Sequence, residues 1–396
     1  MDTAPPAAAH RPDDPGPVAA ARSLVPLLSG QAARTEERRR LTGTALAALR
    51  EAGLLRLGTP RALGGHGASV RTAVEVCEEL ARGCSAASWT VGIAYGGALF
   101  ASQLDHDARA ALWRDDPDAV VCGTANPSGT ARRVDGGWTL DGRWPWISGI
   151  HHASWALLGF DRADAGSERL LALVPARVLA VEEVWRMAGM RGTGSDTALA
   201  EGVFVPDSRT VSLTAMADGV YRRRHPGEPL VLFHLSINLP LVATAVGLAA
   251  AALERVLDSV ARGRRSLSPL YRLVADAPAH QLNAARAATL TDTARLHLRR
   301  AADEVDAHAG AGLLPPPLER ARLRMDAAHA VRCAREAVGL LLDTAGAGSF
   351  SDGAELQRIW RDIETASRHA ALSVQTHQEI YGRALLGAPL PAGPVI

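Results

Sequence analysis

The sequence predicts a mostly helical α+β chain in three parts: a helical domain, a β-domain and a four-helix bundle. Three observations predict it. Helical hydrophobic periods run over 21–116, short strand-like segments punctuated by Gly, Asp and Pro fill 117–212, and four long helical periods occupy 230–386. A chain of 396 residues is long enough for two or three domains with a sizeable core.

Residues 1–20 (MDTAPPAAAHRPDDPGPVAA) are Pro/Ala-rich and aperiodic, the composition of a disordered tail. The N-terminal helical domain contains RTEERRRLTGTALAALREAGLLRL (34–57) and RTAVEVCEELARGCSAASWTVGIAYGGALFASQL (71–104), joined by a Gly-rich LGGHGAS. In the β-domain, GGWTLDG (136–142) is a hairpin signature. Trp144 and Trp146 then lead into Ser148-Gly149, and the apolar run Ala153–Phe160 reads as a strand. Exposed aromatics cost solubility, so tryptophans beside Ser-Gly and two histidines suggest a surface that receives a flat ring. A packed β-core is the competing reading. A polar linker, DGVYRRRHPGEP (218–229), precedes helical periods at 233–262, 278–308, 317–345 and 354–385. The third opens with PPPLER, proline at the start and acid in the first turn. Long amphipathic helices with short connections suit an antiparallel bundle, and 387–396 is left as a tail.

Composition narrows the chemistry. Net charge is +1 with both signs interspersed, which offers nucleic acid or an anionic membrane nothing to bind. All 43 basic side chains are arginine. A chain without lysine forms no lysine Schiff base and holds no Walker-type phosphate lysine. Cys77, Cys84, Cys122 and Cys333 are scattered without CxxC pairing, which argues against disulfides and a thiolate zinc site. His151 and His152 have no partners at ligand spacing, so no metal is expected there. The N-terminus lacks a signal-peptide pattern, and the Ala-rich 240–253 run is too short for a membrane span and reads as a buried helix. A cytoplasmic location is the expectation.

Three collinear segments carry a resemblance. DGGWTLDGRWPWISGIHHASWALLGF (135–160), VWRMAGMRGTGSDTALAEGVFVPDSR (184–209) and QRIWRDIETASRHAALSVQTHQEIYGRALLG (357–387) together resemble the acyl-CoA dehydrogenase superfamily, and within it the two-component flavin-dependent monooxygenase branch. The similarity covers roughly residues 20–388. It implies the acyl-CoA dehydrogenase fold with a central β-barrel-like domain, a homotetramer, and an oxygenase fed with reduced flavin (FMN or FAD) by a separate NAD(P)H-dependent reductase. Molecular oxygen would form a flavin C4a-(hydro)peroxide that oxidises an aromatic, polycyclic, indolic or amine metabolite. No strand–GxGxxG–helix fingerprint for a second nucleotide is visible in the chain.

The same resemblance nominates site residues. The dehydrogenases' glutamate base, aligned on Arg361-Asp362, falls at Ala370, which takes no proton. His369 beside it is where the monooxygenases place a functional histidine, as base or hydrogen-bond donor. Ser148 corresponds to the serine near flavin N5, with a turn-capping serine as the alternative. Asn126, Trp144 and Trp146 would line the flavin, and Trp89 and Tyr95 the substrate cavity, although helical aromatics also serve as core. Arg191-Gly-Thr-Gly-Ser195 offers backbone amides to a ligand. For the flavin phosphate the candidates are Arg264 or Arg265, Arg265 being preferred, with Gly348 and Ser349. Two rivals stay open: an acyl-thioester dehydrogenase with a relocated base, and a catalytically silent scaffold of the same fold.

Overall fold

The computed structural model describes residues 16–162, 168–217, 231–266 and 268–390. The expected linker at 218–229 and the outer parts of both tails lie outside them. Helix α1 (Gly16–Arg38) begins inside the stretch read as tail. Pro17 occupies its first turn, where a missing N–H costs nothing. Helices α2 (Gly43–Glu51) and α3 (Val70–Gly83) are each opened by a side-chain cap: Thr42 accepts from the Ala45 N–H at 3.1 Å and Ser69 from that of Thr72 at 3.1 Å. Helix α4 (Ser85–Ala101) is apolar almost all round and nearly wholly buried, and α5 (His106–Trp113) closes the domain. One glycine is required here. A Cβ on Gly97 would lie 2.0 Å from the Val121 carbonyl oxygen, so α4 reaches the sheet only because it carries none.

The β-domain is two four-stranded sheets. One has the order β1 (Val121–Thr124), β4 (Trp155–Asp161), β5 (Arg169–Pro175), β8 (Thr210–Ser212). The other has the order β2 (Gly129–Val134), β3 (Gly137–Ile147), β7 (Asp196–Pro206), β6 (Ala180–Glu182). Strand β4 is buried on both faces. Ala156, Leu158 and Phe160 meet Trp144, Leu140 and Ala198 of the second sheet, while Leu157 meets Leu104, Leu112 and Trp113 of the helices. That double burial makes 153–160 a continuous apolar run rather than an alternating one. The hairpin turn falls at Asp135-Gly136, between β2 and β3; Asp141-Gly142 lies inside β3, where the register against β7 shifts.

After the short α6 (Leu213–Ala217) come α7 (Phe233–Ala261), α8 (Pro278–Ala311) and α9 (Pro317–Ala345). Leu235–Ala261 of α7 is long and apolar enough to cross a membrane by length and composition, longer than the run expected from the sequence. In its most apolar 18-residue stretch 89% of the residues are buried against neighbouring elements, so it serves as a core helix of the bundle. The fourth expected helix is broken into α10 (Glu355–Ala366) and α11 (Val374–Leu385), with a 3-10 turn at Ala370–Leu372 between them. His369 therefore stands in a helix break, not two turns along a continuous helix.

Candidate active site

Strand β3 ends irregularly. Its register against β7 slips between Trp144 and Ile147, and Trp146 adopts a left-handed backbone, φ 62°. A bulky residue there stores on the order of 1–3 kcal/mol. The bulge separates two tryptophans two residues apart. Trp144 is wholly buried and donates its Nε1–H to the Gly159 carbonyl at 2.8 Å, so it fills the β-core instead of facing a ligand. Trp146 is 67% exposed, an open aromatic face beside Ser148.

Ser148 is buried and sits in a chain of short contacts. The Trp89 Nε1–H of α4 donates to Ser148 Oγ at 3.1 Å, Ser148 Oγ meets Ser195 Oγ at 2.7 Å, Ser195 Oγ meets Thr193 Oγ1 at 2.7 Å, and Thr193 donates to the Met190 carbonyl at 2.8 Å. The 190–195 loop is pinned from several sides. Met190, itself left-handed at φ 53°, donates its N–H to Asp362 at 2.6 Å, and Ser85 donates to the same carboxylate at 2.6 Å. A Cβ on Gly189 would fall 1.9 Å from the Arg361 carbonyl oxygen, which is how the loop lies flush on α10. His151 Nε2 pairs with Asp196 at 2.7 Å, and its Nδ1 faces Arg40 at 3.3 Å, a structural clamp.

His369 closes the constellation. Its ring stands edge-on to Trp89, centroids 5.6 Å apart at 73°. Protein surrounds the ring, and that lost hydration lowers its pKa from the ordinary 6.5. The residue nonetheless keeps an exposed surface. Its Nδ1 accepts the Ala371 N–H at 3.3 Å, which leaves the neutral ring with Nε2–H as a donor. His377 Nε2 in turn holds the Ala371 carbonyl at 3.0 Å.

Trp89, Ser148 and His369 are thus brought together, with Trp146 beside Ser148. Among the described residues Tyr95, Asn126, Arg265, Gly348 and Ser349 make no hydrogen bond to this set. Tyr95 is sealed in the helical core with its hydroxyl on the Ala68 carbonyl at 3.2 Å, and burial pushes its phenol up, so it packs as core. Asn126 is exposed in the β1–β2 turn, bonded to Thr124 and Ser128, with no hydrogen bond to Ser148 among the described residues. Gly348 and Ser349 line a separate cleft of about 320 Å³ with Arg255, Arg262 and Arg264. Arg265 does not line it: its backbone bridges to Leu273 and its side chain is exposed, so Arg264 takes the place expected for Arg265.

Ser195 and Thr193 matter through their hydroxyls, where the sequence suggested only the loop's amides; the Thr-x-Ser spacing was the available signal. Two further atoms near Gly149 are buried without a partner, Thr90 Oγ1 and His152 Nε2. Burial holds the His152 pKa down at about 4, so that ring is neutral at physiological pH. Unmet buried polar atoms are rare, and next to the Ser148-Gly149 turn they suit a flat ring with a polar edge. A reduced flavin fits these residues: aromatic face, hydroxyl lone pair and imidazole N–H. Among the described residues no three His, Cys, Asp or Glu side chains gather as metal ligands.

Comparison with known proteins agrees with this geometry. Residues 20–109 match the acyl-CoA dehydrogenase N-terminal domain and 239–374 the C-terminal domain. The chain is 31% identical over 382 residues to the flavin-dependent monooxygenase oxygenase subunit HsaA of Rhodococcus jostii, covering 93% of this chain and 97% of that one. It is 30% identical over 374 residues to the oxygenase component of the FADH2-dependent resorcinol hydroxylase of a Rhizobium species, covering 91% of each. XiaF from a Streptomyces species, solved with FADH2 and glycerol, superposes with a TM-score of 0.87 at 31% identity, covering 96% of both chains. The chain belongs to the flavin-dependent monooxygenases built on the acyl-CoA dehydrogenase fold.

Proposed function

We propose that this protein is the oxygenase component of a two-component system that hydroxylates or otherwise oxidises an aromatic, polycyclic, indolic or amine metabolite. Reduced FMN or FAD from a separate NAD(P)H-dependent reductase supplies the oxygen chemistry when bound. The observation that carries this reading is the Trp89–Ser148–His369 constellation beside the exposed Trp146, together with Ala370 where a dehydrogenase base would stand. Trp146 would offer the ring a face, Ser148 would accept at its N5 edge, and His369 would present Nε2–H toward the oxygen or the substrate. The Nδ1 contact favours donor over base. The Rhizobium relative is described as the oxygenase component of a resorcinol hydroxylase, which is why the substrate is sought among aromatics.

The cleft holding Arg264, Gly348 and Ser349 is our candidate for the flavin phosphate, completed by a neighbouring subunit in a homotetramer. Leu282, Leu296, Leu313 and Leu318, all between 48% and 70% exposed on or beside α8 and α9, support an assembled bundle. Light scattering should give four chains per particle; a monodisperse monomer at micromolar concentration overturns the assembly. The test of function is rapid mixing of protein, reduced flavin and oxygen. A transient distinct from reduced and oxidised flavin is expected, and free-flavin oxidation kinetics with both FMN and FAD would sink the reading.

A further inference from the structure

The hydroxyl chain behind Ser148 has a direction. The Met190 carbonyl only accepts, so the Thr193 hydroxyl hydrogen, 2.8 Å away, is committed to it. The 2.7 Å contact between Thr193 and Ser195 then needs the Ser195 hydrogen. With that hydrogen used, the 2.7 Å contact between Ser195 and Ser148 needs the hydrogen of Ser148. Trp89 Nε1–H fills one Ser148 lone pair at 3.1 Å. Ser148 is left with a single lone pair and no hydrogen to offer.

We infer that Thr193 and Ser195 are positioning residues that hold Ser148 as a pure acceptor and so make the site select reduced over oxidised flavin. The inference rests on the proposed placement of Ser148 at flavin N5. Reduced flavin carries N5–H, which the free lone pair of Ser148 accepts; oxidised flavin presents a bare nitrogen, and two acceptors then face each other. The chain end is well anchored. The Met190 carbonyl also receives Trp185 Nε1–H at 2.9 Å, and the Met190 N–H is held by Asp362, so the terminal acceptor cannot turn away.

Thr193→Val and Ser195→Ala both release the chain. Without the Thr193 hydroxyl, Ser195 turns its hydrogen to Ser148; without the Ser195 hydroxyl, Ser148 loses its acceptor. In either case Ser148 regains a hydrogen for a bare N5. The experiment measures dissociation constants of the full-length protein for oxidised and for reduced FMN and FAD, anaerobically for the reduced forms. The wild type should prefer reduced flavin, and both variants should lower the oxidised-to-reduced ratio about tenfold or more, the scale of one unmet buried hydrogen bond. Thr193→Ser keeps the hydroxyl and should restore the ratio, which a purely structural role for the side chain would not require. A wild type with no preference, or variants with unchanged ratios and intact melting curves, overturns the relay. If a variant fails to fold, the other one and the Thr193→Ser control decide it. A wild type that binds neither redox form would instead remove the proposed function.

Discussion

The two walls of the candidate site are held in opposite ways. On the sheet side, Trp89, Ser148, Ser195 and Thr193 form consecutive contacts of 2.7–3.1 Å, buried and anchored through Met190 to Asp362. On the bundle side, His369 stands exposed in a helix break, with a 3.3 Å contact to the Ala371 N–H and the His377 bond to Ala371 behind it. The difference separates two tasks. A group that must meet a ring atom in one redox state gains from being fixed in advance, because misplaced polar groups in a dry site lose most of their effect. A group that faces changing substrates gains from a turn able to adjust.

The sharpest way to break the comparison is on the bundle side. His369→Ala should lower product formation about 10²–10³-fold, the scale of a lost preorganised donor, with more hydrogen peroxide per flavin oxidised. Its melting temperature should stay within a few degrees, since the residue stands in an exposed helix break and its ring makes one 3.3 Å hydrogen bond. Normal product yields would return His369 to the structural residues.

Asp362→Asn should do the reverse and act first on stability. The carboxylate accepts from both Ser85 and Met190, and an amide there turns an NH2 toward one of those donors. A loss of about 1–3 kcal/mol is expected by denaturant unfolding. An unchanged midpoint would mean that the loop is anchored elsewhere.

pH sharpens the contrast. Burial lowers the His369 pKa below 6.5, so the ring stays neutral somewhat below that pH and is protonated as pH falls further. Protonation sets an Nδ1–H against the Ala371 N–H. The histidine's contribution is therefore full above pH 6.5 and lost as pH falls through the lowered pKa, and the acidic limb of product formation should vanish in His369→Gln. A limb that persists there belongs to another group.

The smallest effect concerns the bulge. Trp146→Gly relieves a left-handed tryptophan and removes little buried area, so stability should stay within about 1 kcal/mol while flavin affinity falls. Titration with reduced flavin checks it; undiminished affinity would show that the indole is not the ring's platform.

The helical and strand segments and the motif stretches around Ser148, 190–195 and 361–362 were legible because each depends on local periodicity and spacing. The apolar run 153–160 was readable as a strand for the same reason. The fate of individual side chains was not. Trp144 and Trp146 share a residue type and a neighbourhood, yet a one-residue register slip sends one into the core and the other to solvent. Tyr95 reads like Trp89 on the same helix, but only Trp89 reaches Ser148. The break before His369 carries no Pro or Gly, only the Ser373 cap on Thr376 and a His377 bond to Ala371. Pattern along the chain encodes which elements form, because that depends on neighbours three or four positions away. Which hydroxyl meets which, and in what direction hydrogens run between residues 89, 148, 193 and 195, depends on long-range packing that no local pattern records.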